Sequence, residues 1–283
     1  MTRILLPSDF SKNSWNAIEY AIYLFEKEAC TFYILNACQV SPSGLISTIN
    51  KERDTRLHEI TAKESKEKVE KIVDQLKKSN KVAQHKFEGI TVSDTLMNAL
   101  GRNIISKNVD YVFMGTQGAT GLKEIFMGSN TVSVIKNINS CPIVVVPATY
   151  DYDIPDVIAF ATDYRHMFKR SELKPLIYLS KLWGSAIKVV HIAEENELEE
   201  EQKNLKKMLQ NWFEGLHYSF EDLDYYPNIS LRIGQLPEDK NVGMIAMINS
   251  KHGFFRRLMR EPVIKKVAFR TEVPFLVLPE KII

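Results

Sequence analysis

Short apolar runs alternate with longer amphipathic patterns through the first half of the chain. Residues 3–6, 32–38, 111–114 and 143–146 are apolar enough to be strands, and residues 86–88 form a weaker candidate. The segments between them carry apolar residues at the three- and four-residue spacing of a helix face. Strands that alternate with helices of this length indicate βαβ units and a parallel sheet covered on both faces. We therefore predict a doubly wound α/β domain.

Polar residues that can cap helices stand before the helical patterns. We expect Asp9 or Ser11 to begin the first helix, and Ser93 to cap a helix over residues 96–105. In the second half, strands over residues 157–161 and 186–191 flank another helical pattern.

The two halves of the chain share motifs at their beginnings and at their ends. Residues 4–9 read ILLPSD and residues 158–163 read IAFATD, while residues 141–147 read CPIVVVP and residues 273–279 read VPFLVLP. Each half thus opens with a strand that ends in a hydroxyl–Asp pair, and closes with a strand flanked by proline. Because proline cannot donate to a sheet ladder, we expect both closing strands at sheet edges or at an interface, where they could pair with each other.

This repeat predicts two tandem doubly wound, parallel-sheet domains of Rossmann-like type. Residues 148–155, which contain Asp, Tyr and Pro, are the expected linker between a domain over 1–148 and a domain over 156–283.

The second domain is expected to be shorter by about one helix. Gly89 and Gly115 are 26 positions apart, whereas Gly234 and Asn249, taken as their counterparts, are only 15 apart. The missing residues correspond to about three helical turns. The helix over residues 96–105 is therefore predicted to have no counterpart in the second half.

Composition and charge exclude several classes of protein. The 37 Lys and Arg against 35 Asp and Glu give a net charge of +2, without the basic surplus of a dedicated nucleic-acid binder. No apolar stretch approaches the roughly 18 residues of a membrane span, and the N-terminal apolar run is too short for a signal peptide. The three cysteines have no paired spacing and the six histidines no metal-ligand spacing. We expect a cytoplasmic protein with reduced thiols, no metal site, no nucleic-acid partner and no membrane partner.

The strongest chemical signal is a glycine-rich segment that leaves a buried strand and enters a helix. Residues 114–131 read MGTQGATGLKEIFMGSNT, in which Gly115 and Gly118 are separated by two residues, and Gly118 and Gly128 by nine. Glycine lets the backbone approach a phosphate or a ribose closely. At the start of the following helix, free amides form an anion site, and the hydroxyl of Ser129 could cap the helix or bind phosphate. No lysine stands between Gly128 and Ser129 in a Gly-Lys-Ser/Thr arrangement, so this is not the ordinary nucleoside-triphosphatase loop.

The segment resembles the G-2x-G-9x-G(S/T) signature of nucleotide-binding members of the universal stress protein family. Residues 6–11, LPSDFS, are similar to the first strand of that family with its Asp turn, and residues 141–146 resemble its last strand. The resemblance covers residues 1–148 with all motifs present, and residues 156–281 more weakly.

The resemblance implies an adenine nucleotide, ATP or AMP, with Mg²⁺ as a candidate companion ion. It implies that Asp9 contacts the ribose, that the backbone of Ala37 binds adenine and that Gly115 lies beside the ribose, with the phosphates held further along the segment. Ligands of open parallel sheets do lie beyond the carboxyl ends of the strands. The full expected set is Pro7, Ser8, Asp9, Ala37, Met114, Gly115, Gly118, Gly128, Ser129, Asn130 and Thr131.

The second half keeps the spacing of this segment but not its residues. Asn249, His252 and Pro262 stand in place of the three glycines, and Val263 replaces the hydroxyl. Side chains then occupy the space of the phosphates, and proline removes an amide donor. We expect no nucleotide in the second half, and we interpret its Asp163 as a turn or cap residue.

The sequence therefore favours a cytoplasmic stress-response or regulatory protein that binds nucleotide in its first domain. Its second domain would serve as an internal pseudo-dimer partner; a homodimer and an unidentified protein partner are further expectations. No residue near the glycine segment is an evident base, so turnover is expected to be slow or absent, and we name no catalytic residue. The alternatives are an interaction scaffold without nucleotide, and a slow ATP-hydrolysing enzyme. An adenylyl-transferring relative would need a Ser-Gly-Gly-x-Asp-Ser or His-x-Gly-His motif, which the first strand lacks.

Overall fold

The computed structural model describes residues 1–38, 48–116, 128–148, 150–192, 197–223, 229–250 and 272–280. The chain divides into two compact units, Met1–Met114 and Gly115–Ile283. This division by compactness does not test the two domains expected from the repeat, 1–148 and 156–283, which stay a prediction. Among the described residues, no helix combines the length and the apolar character that crossing a membrane requires.

The first unit alternates strands and helices as its sequence pattern predicts. Its elements are β1 (Thr2–Pro7), α1 (Lys12–Leu24), β2 (Cys30–Ala37), α2 (Thr48–Ser79), β3 (Lys86–Val92), α3 (Leu96–Ser106) and β4 (Tyr111–Gly115), whose last residue begins the second unit. The strand order is β3-β2-β1-β4, and every pair is parallel. In this register Pro7 pairs with Leu35, and Ala37 pairs with Val92.

Burial on both faces explains the continuous apolar runs of the central strands. Ile4, Leu5 and Leu6 of β1 are fully buried, as a parallel sheet with helices on both sides requires. Ser11 caps α1, as expected, because its Oγ accepts a hydrogen bond from the amide of Ser14 at 3.1 Å. The cap of α3 is Thr95, so the prediction of Ser93 is wrong by two residues.

The second unit contains the end of the first repeat and the whole second repeat. Its elements are α4 (Ser129–Asn137), β5 (Ile143–Val146), β6 (Val157–Thr162), α5 (Arg170–Trp183), β7 (Ala186–Ile192), α6 (Glu200–Trp212), β8 (Tyr218–Leu223), α7 (Ile229–Gly234), α8 (Leu236–Lys240), β9 (Met244–Asn249) and β10 (Phe275–Pro279). The strand order is β5-β10-β9-β6-β7-β8. All of these pairs are parallel except β5 with β10, which is antiparallel.

The repeat seen in the sequence extends to the topology. The order β3-β2-β1-β4 in the first unit has the same connectivity as β8-β7-β6-β9 in the second. The predicted α/β class with a largely parallel sheet is therefore confirmed. The expected pairing of the two closing strands is also observed, with Leu276 of β10 opposite Val144 of β5.

The predicted loss of one helix from the second half is wrong between β8 and β9. Two short helices, α7 with 6 residues and α8 with 5, stand where α3 has 11. The error arose because Gly234 was taken as the counterpart of Gly89, which lies in β3, whereas Gly234 ends α7. The strand itself is β8, whose mostly part-exposed or exposed residues give no apolar run in the sequence.

Candidate functional site

The carboxyl end of β1 forms a tight turn through Ser8, Asp9 and Phe10. Phe10 has a left-handed backbone with φ of 65°, and its amide donates to Ser8 Oγ at 3.2 Å. Asp9 Oδ1 accepts a hydrogen bond from the amide of Ser11 at 3.1 Å. Ser8 is buried, whereas Asp9 is exposed. The turn thus holds its carboxylate at the surface while leaving the second carboxylate oxygen available.

A buried polar network fixes this turn to the neighbouring strand and helix. Asn36 of β2 donates to the carbonyl of Ser8 at 2.7 Å, and its Oδ1 accepts from Ser65 Oγ of α2 at 2.6 Å. The hydroxyls of Ser8 and Ser14 lie 3.0 Å apart. Because buried polar groups need partners, this network determines the conformation of the Asp turn. Sequence reasoning missed Asn36 and Ser65, although an asparagine inside an otherwise apolar strand is a visible signal.

The other expected residues of the first unit lie at the same edge of the sheet. Ala37 ends β2, and Met114 is the penultimate residue of β4, so both belong to strands that pair with β1. Pro7, the last residue of β1, is buried like Met114. The structure therefore brings Pro7, Ser8, Asp9, Ala37 and Met114 to the carboxyl ends of three adjacent parallel strands.

Cys38 follows Ala37 and is a packed thiol. Its Sγ lies 3.6 Å from the carbonyl oxygen of Val92 and 3.9 Å from Ser93 Oγ. At the other end of β2, burial raises the pKa of the Cys30 thiol to about 12, with Glu28 adding to the shift. Cys30 therefore stays a protonated, unreactive thiol near neutral pH.

In the second unit, no side chain from the described ranges caps the N-terminus of α4. The N-cap residue is Gly128, with φ of −59° and ψ of 154°, and it makes no capping hydrogen bond. Ser129 and Asn130, the first two helical residues, are exposed. Ser129 is therefore not the N-cap, so of the two roles considered for its hydroxyl the structure excludes capping, and phosphate binding stays a prediction. The first amides of this helix keep the positive end of the helix dipole accessible, which favours an anion.

The segment before α4 is tied to this helix by threonine and backbone contacts. Thr131 Oγ1 donates to the carbonyl of Gly115 at 3.0 Å, and the amide of Gly128 donates to the carbonyl of Thr116 at 2.6 Å. The amide of Thr116 in turn donates to the carbonyl of Val146 at 3.0 Å. These bonds hold the last residue of β4 and the first turn of α4 together. Gly118 lies outside the described residues.

Thr116 is a second site feature that the sequence did not reveal. It is 4% exposed, and its Oγ1 has no hydrogen-bond partner within the described part of the chain. Leaving a buried hydroxyl unpaired costs about 1–3 kcal/mol, so such a group usually forms a hydrogen bond with a ligand or an ordered water. It lies at the entrance to the glycine segment, next to the residue that Thr131 holds.

The second repeat reproduces the Asp turn. Tyr164 has φ of 52°, and its amide donates to Thr162 Oγ1 at 3.0 Å. Asp163 Oδ1 accepts from the amide of Arg165 at 3.1 Å. The interpretation of Asp163 as a turn residue is confirmed.

Side chains fill the space beside this second turn. The ring of Tyr164 stacks on that of His191, with centroids 4.8 Å apart, and both residues are buried. Burial raises the pKa of the Tyr164 hydroxyl, and Asp222 raises it further. Asp163 is itself buried, whereas Asp9 is exposed. The prediction that the second half binds no nucleotide also depends on three residues outside the described ranges, His252, Pro262 and Val263.

No metal centre or catalytic cluster emerges from the described residues. Within these ranges, no three His, Cys, Asp or Glu side chains lie close enough together to hold a metal ion. At the carboxyl ends of β1, β2 and β4, the described groups are hydroxyls, backbone amides and the exposed carboxylate of Asp9.

Comparison with known proteins gives one family. A model of the universal stress protein family matches residues 1–147. The chain is 30% identical to universal stress protein MJ0531 of Methanocaldococcus jannaschii over 145 residues, which are 51% of this chain and 81% of that protein. It is 28% identical to universal stress protein MJ0577 of the same organism over 156 residues, covering 51% of this chain and 93% of the relative.

A solved structure is similar along nearly the whole chain. A universal stress protein from Archaeoglobus fulgidus aligns with a TM-score of 0.66 and 18% identity, covering 98% of this chain and 96% of that one. At this identity the likeness concerns the fold alone. It extends the similarity beyond the 147 residues that the family model matches.

Proposed function

The chain belongs to the universal stress protein family, and from that premise we propose that it binds an adenine nucleotide, ATP or AMP, at the connection between β4 and α4. The observation that carries the proposal is the N-terminus of α4, which no described side chain caps, beside a buried Thr116 hydroxyl without a described partner. Backbone amides at a helix N-terminus and a neighbouring hydroxyl can donate hydrogen bonds to phosphate oxygens.

The family resemblance implies roles for several further residues. The amides of Ser129, Asn130 and Thr131 would hold the phosphates together with Gly118 and Gly128. In the first unit, the exposed carboxylate of Asp9 would accept hydrogen bonds from the ribose, and the backbone of Ala37 would bind adenine. Mg²⁺, if it accompanies ATP, would be held mainly by the phosphates and water, since no three described His, Cys, Asp or Glu side chains are grouped around an ion position.

In this proposal the bound nucleotide acts as a signal, and its hydrolysis is not required. No described side chain near α4 is placed as a base for water, so we expect slow or absent hydrolysis. The filled turn at Tyr164 and His191 supports a second repeat without nucleotide, which would serve as the internal partner. We propose a regulatory role in a cytoplasmic stress response.

Direct measurement of bound nucleotide tests the proposal. Native mass spectrometry of the purified chain, followed by titration calorimetry with ATP and AMP, should give about one nucleotide per chain. Gly128→Val should weaken binding by about tenfold or more, a loss of about 1.4 kcal/mol. The backbone of Gly128 has φ of −59°, which valine also adopts, so the variant should fold while its side chain obstructs the helix amides. Gly118→Val is expected to act in the same direction.

Gly101→Ala is the matched control, because a Cβ on Gly101 meets nothing within 4 Å. It should leave nucleotide affinity unchanged. Absence of binding by the wild type would favour the interaction scaffold, and two nucleotides per chain would contradict the degenerate second repeat. Rapid hydrolysis that a single side-chain change abolishes would instead favour an enzyme.

A further inference from the structure

A groove on the second unit is lined by none of the residues proposed to bind nucleotide. One wall is a single face of α5, and the other is the segment from the end of α6 to the start of β8. We call it the α5 groove. Its volume of about 570 Å³ is within the range of about 300–1,000 Å³ found for ligand sites. It is open along one side, so an extended or helical segment could lie in it.

The α5 wall carries three cations in a row. Arg170, Lys174 and Lys181 all line the groove, and all three are exposed. They follow one another at four and seven residues, so they share a helix face, and at 1.5 Å per residue they span about 16 Å. None of them forms an ion pair with a residue that the structure describes.

The acidic residues nearby do not neutralise this row. Glu172, the acidic residue of α5, is 1% exposed, and it binds His166 and the amide of Lys169. Glu214 is the one carboxylate in the lining of the groove. The groove therefore carries a surplus of positive charge on a chain whose overall charge is close to balanced.

The floor between the cations is apolar and aromatic. Ile177, Trp212 and Leu216 are half-buried in the lining, and Tyr178 is 36% exposed. Tryptophan, tyrosine and arginine are the residue types that most often dominate the binding energy of protein interfaces. A charged rim around such a floor is the usual composition of a docking surface.

We propose that the α5 groove binds an acidic amphipathic helix of a partner protein. Apolar residues of that helix would contact Trp212, Ile177 and Leu216, while its carboxylates would pair with the cations of α5. Cations about 6 and 10 Å apart along α5 cannot converge on the single head group of a small anion. Carboxylates along one flank of a helix recur at spacings close to 6 and 10 Å, so an amphipathic helix can pair with all three cations while its apolar face contacts the aromatic floor.

The test uses the full-length chain and a synthetic probe. The probe is a fluorescein-labelled peptide of about 15 residues, with leucine on one helix face and glutamate on both flanks. The control peptide has lysine in place of each glutamate. Fluorescence anisotropy should show saturable binding of the acidic peptide, at least about tenfold tighter than binding of the lysine peptide, and weakened by raising NaCl from about 50 to about 300 mM.

Charge reversal on the chain identifies the groove. Lys174→Glu combined with Lys181→Glu should weaken binding of the acidic peptide by about tenfold or more. The matched control reverses two exposed lysines of α2, Lys71→Glu with Lys77→Glu, and should change affinity less than about twofold. A second variant, Lys174→Gln with Lys181→Gln, removes both charges without introducing new ones and is therefore less prone to misfold. Its affinity for the acidic peptide should lie between those of the wild type and the glutamate variant.

Three results would overturn the inference. These are no saturable binding of the acidic peptide, equal affinity for the acidic and lysine peptides, or unchanged affinity in the Lys174 and Lys181 double variants. In the first case, binding of dodecanoate would show that the groove is a small-molecule site. Nucleotide binding is measured separately, so either proposal can fail alone.

Discussion

Asn249 illustrates how a residue that loses one role takes another. It ends β9, at the position where the first repeat has Gly115, and its side chain is buried. Its Nδ2 donates to the carbonyl of Ile135 at 2.6 Å, and lies 3.1 Å from Asn139 Oδ1. A glycine could make neither bond. The substitution that we interpreted only as the loss of a ligand site thus ties the second repeat to the C-terminal turn of α4.

Replacing Asn249 by alanine should destabilise the protein. The change removes a side-chain donor and leaves the buried carbonyl of Ile135 without it, at a cost of about 1–3 kcal/mol. Urea denaturation followed by circular dichroism measures the difference in the free energy of unfolding. Asn137→Ala is the control, because its amide bonds are exposed and should contribute less than about 0.5 kcal/mol. Equal losses in the two variants would contradict the role of Asn249.

At the scale of elements, the contact of α2 with β3 depends on one glycine. A Cβ placed on Gly89 of β3 would lie 2.7 Å from Cγ1 of Val69 on α2. Val69, Val73 and Leu76 form the buried stripe of this long, highly charged helix. The absence of a side chain at position 89 therefore lets the helix lie close to the sheet.

Alanine at position 89 should destabilise the fold, whereas alanine at position 101 should stabilise it. Overpacking by one methyl group costs about 1–3 kcal/mol, because Val69 or the helix must move. Gly101 lies inside α3 with open space around it, so Gly101→Ala should gain about 0.5–1 kcal/mol through helix propensity. Thermal unfolding of the two variants beside the wild type measures the pair. A Gly89→Ala variant as stable as the wild type would show that α2 shifts without cost.

The elements that sequence reasoning predicted best are those with a strong apolar pattern. β1, β2, β4 and β5 are buried throughout or nearly so, and their hydrophobic runs predicted them almost to the residue. β8 was missed, because its outward residues are polar and its pattern is that of an exposed strand at the end of the sheet. The short helices α7 and α8 have too few turns to leave a periodic signal.

The candidate site divides in the same way. Glycine spacing located the connection before α4, and the hydroxyl–Asp motif located both Asp turns. Asn36 stands out as a polar residue in an apolar strand, but its partners, Ser8 and Ser65, are distant in sequence and were not assigned. The burial of the Thr116 hydroxyl without a described partner is a feature of the folded chain alone. The spacing of glycines indicates where the backbone must lack side chains, but it does not show which buried side chains hold that backbone in place.

For the molecule as a whole, the joint between β5 and β10 links the two repeats. These strands run antiparallel, with Phe275 opposite Val145 and Val277 opposite Ile143, and all four residues are buried. Every other pair in the second unit is parallel and lies within the second repeat.

Val277→Pro should open this joint. The amide of Ile245 on β9 donates to the carbonyl of Pro274, so Leu276 faces β9 and Val277, opposite Ile143, faces β5. Proline at position 277 therefore removes a ladder donor on the β5 side. Hydrogen exchange with mass spectrometry should show faster exchange of the β5 amides, while β7, which does not pair with β10, keeps its protection. Val277→Ala, which loses packing but keeps the amide, should affect β5 much less. Unchanged protection of β5 in the proline variant would contradict the pairing.

Because β5 and β10 belong to one polypeptide, their association does not depend on protein concentration. Separate subunits joined through such strands fall apart on dilution, whereas a covalent tether fixes the effective concentration of each strand for the other. The joint should therefore persist at the few copies per cell that a rarely expressed gene provides. It also leaves each partner free to diverge, since a change in one strand no longer appears twice at the same contact.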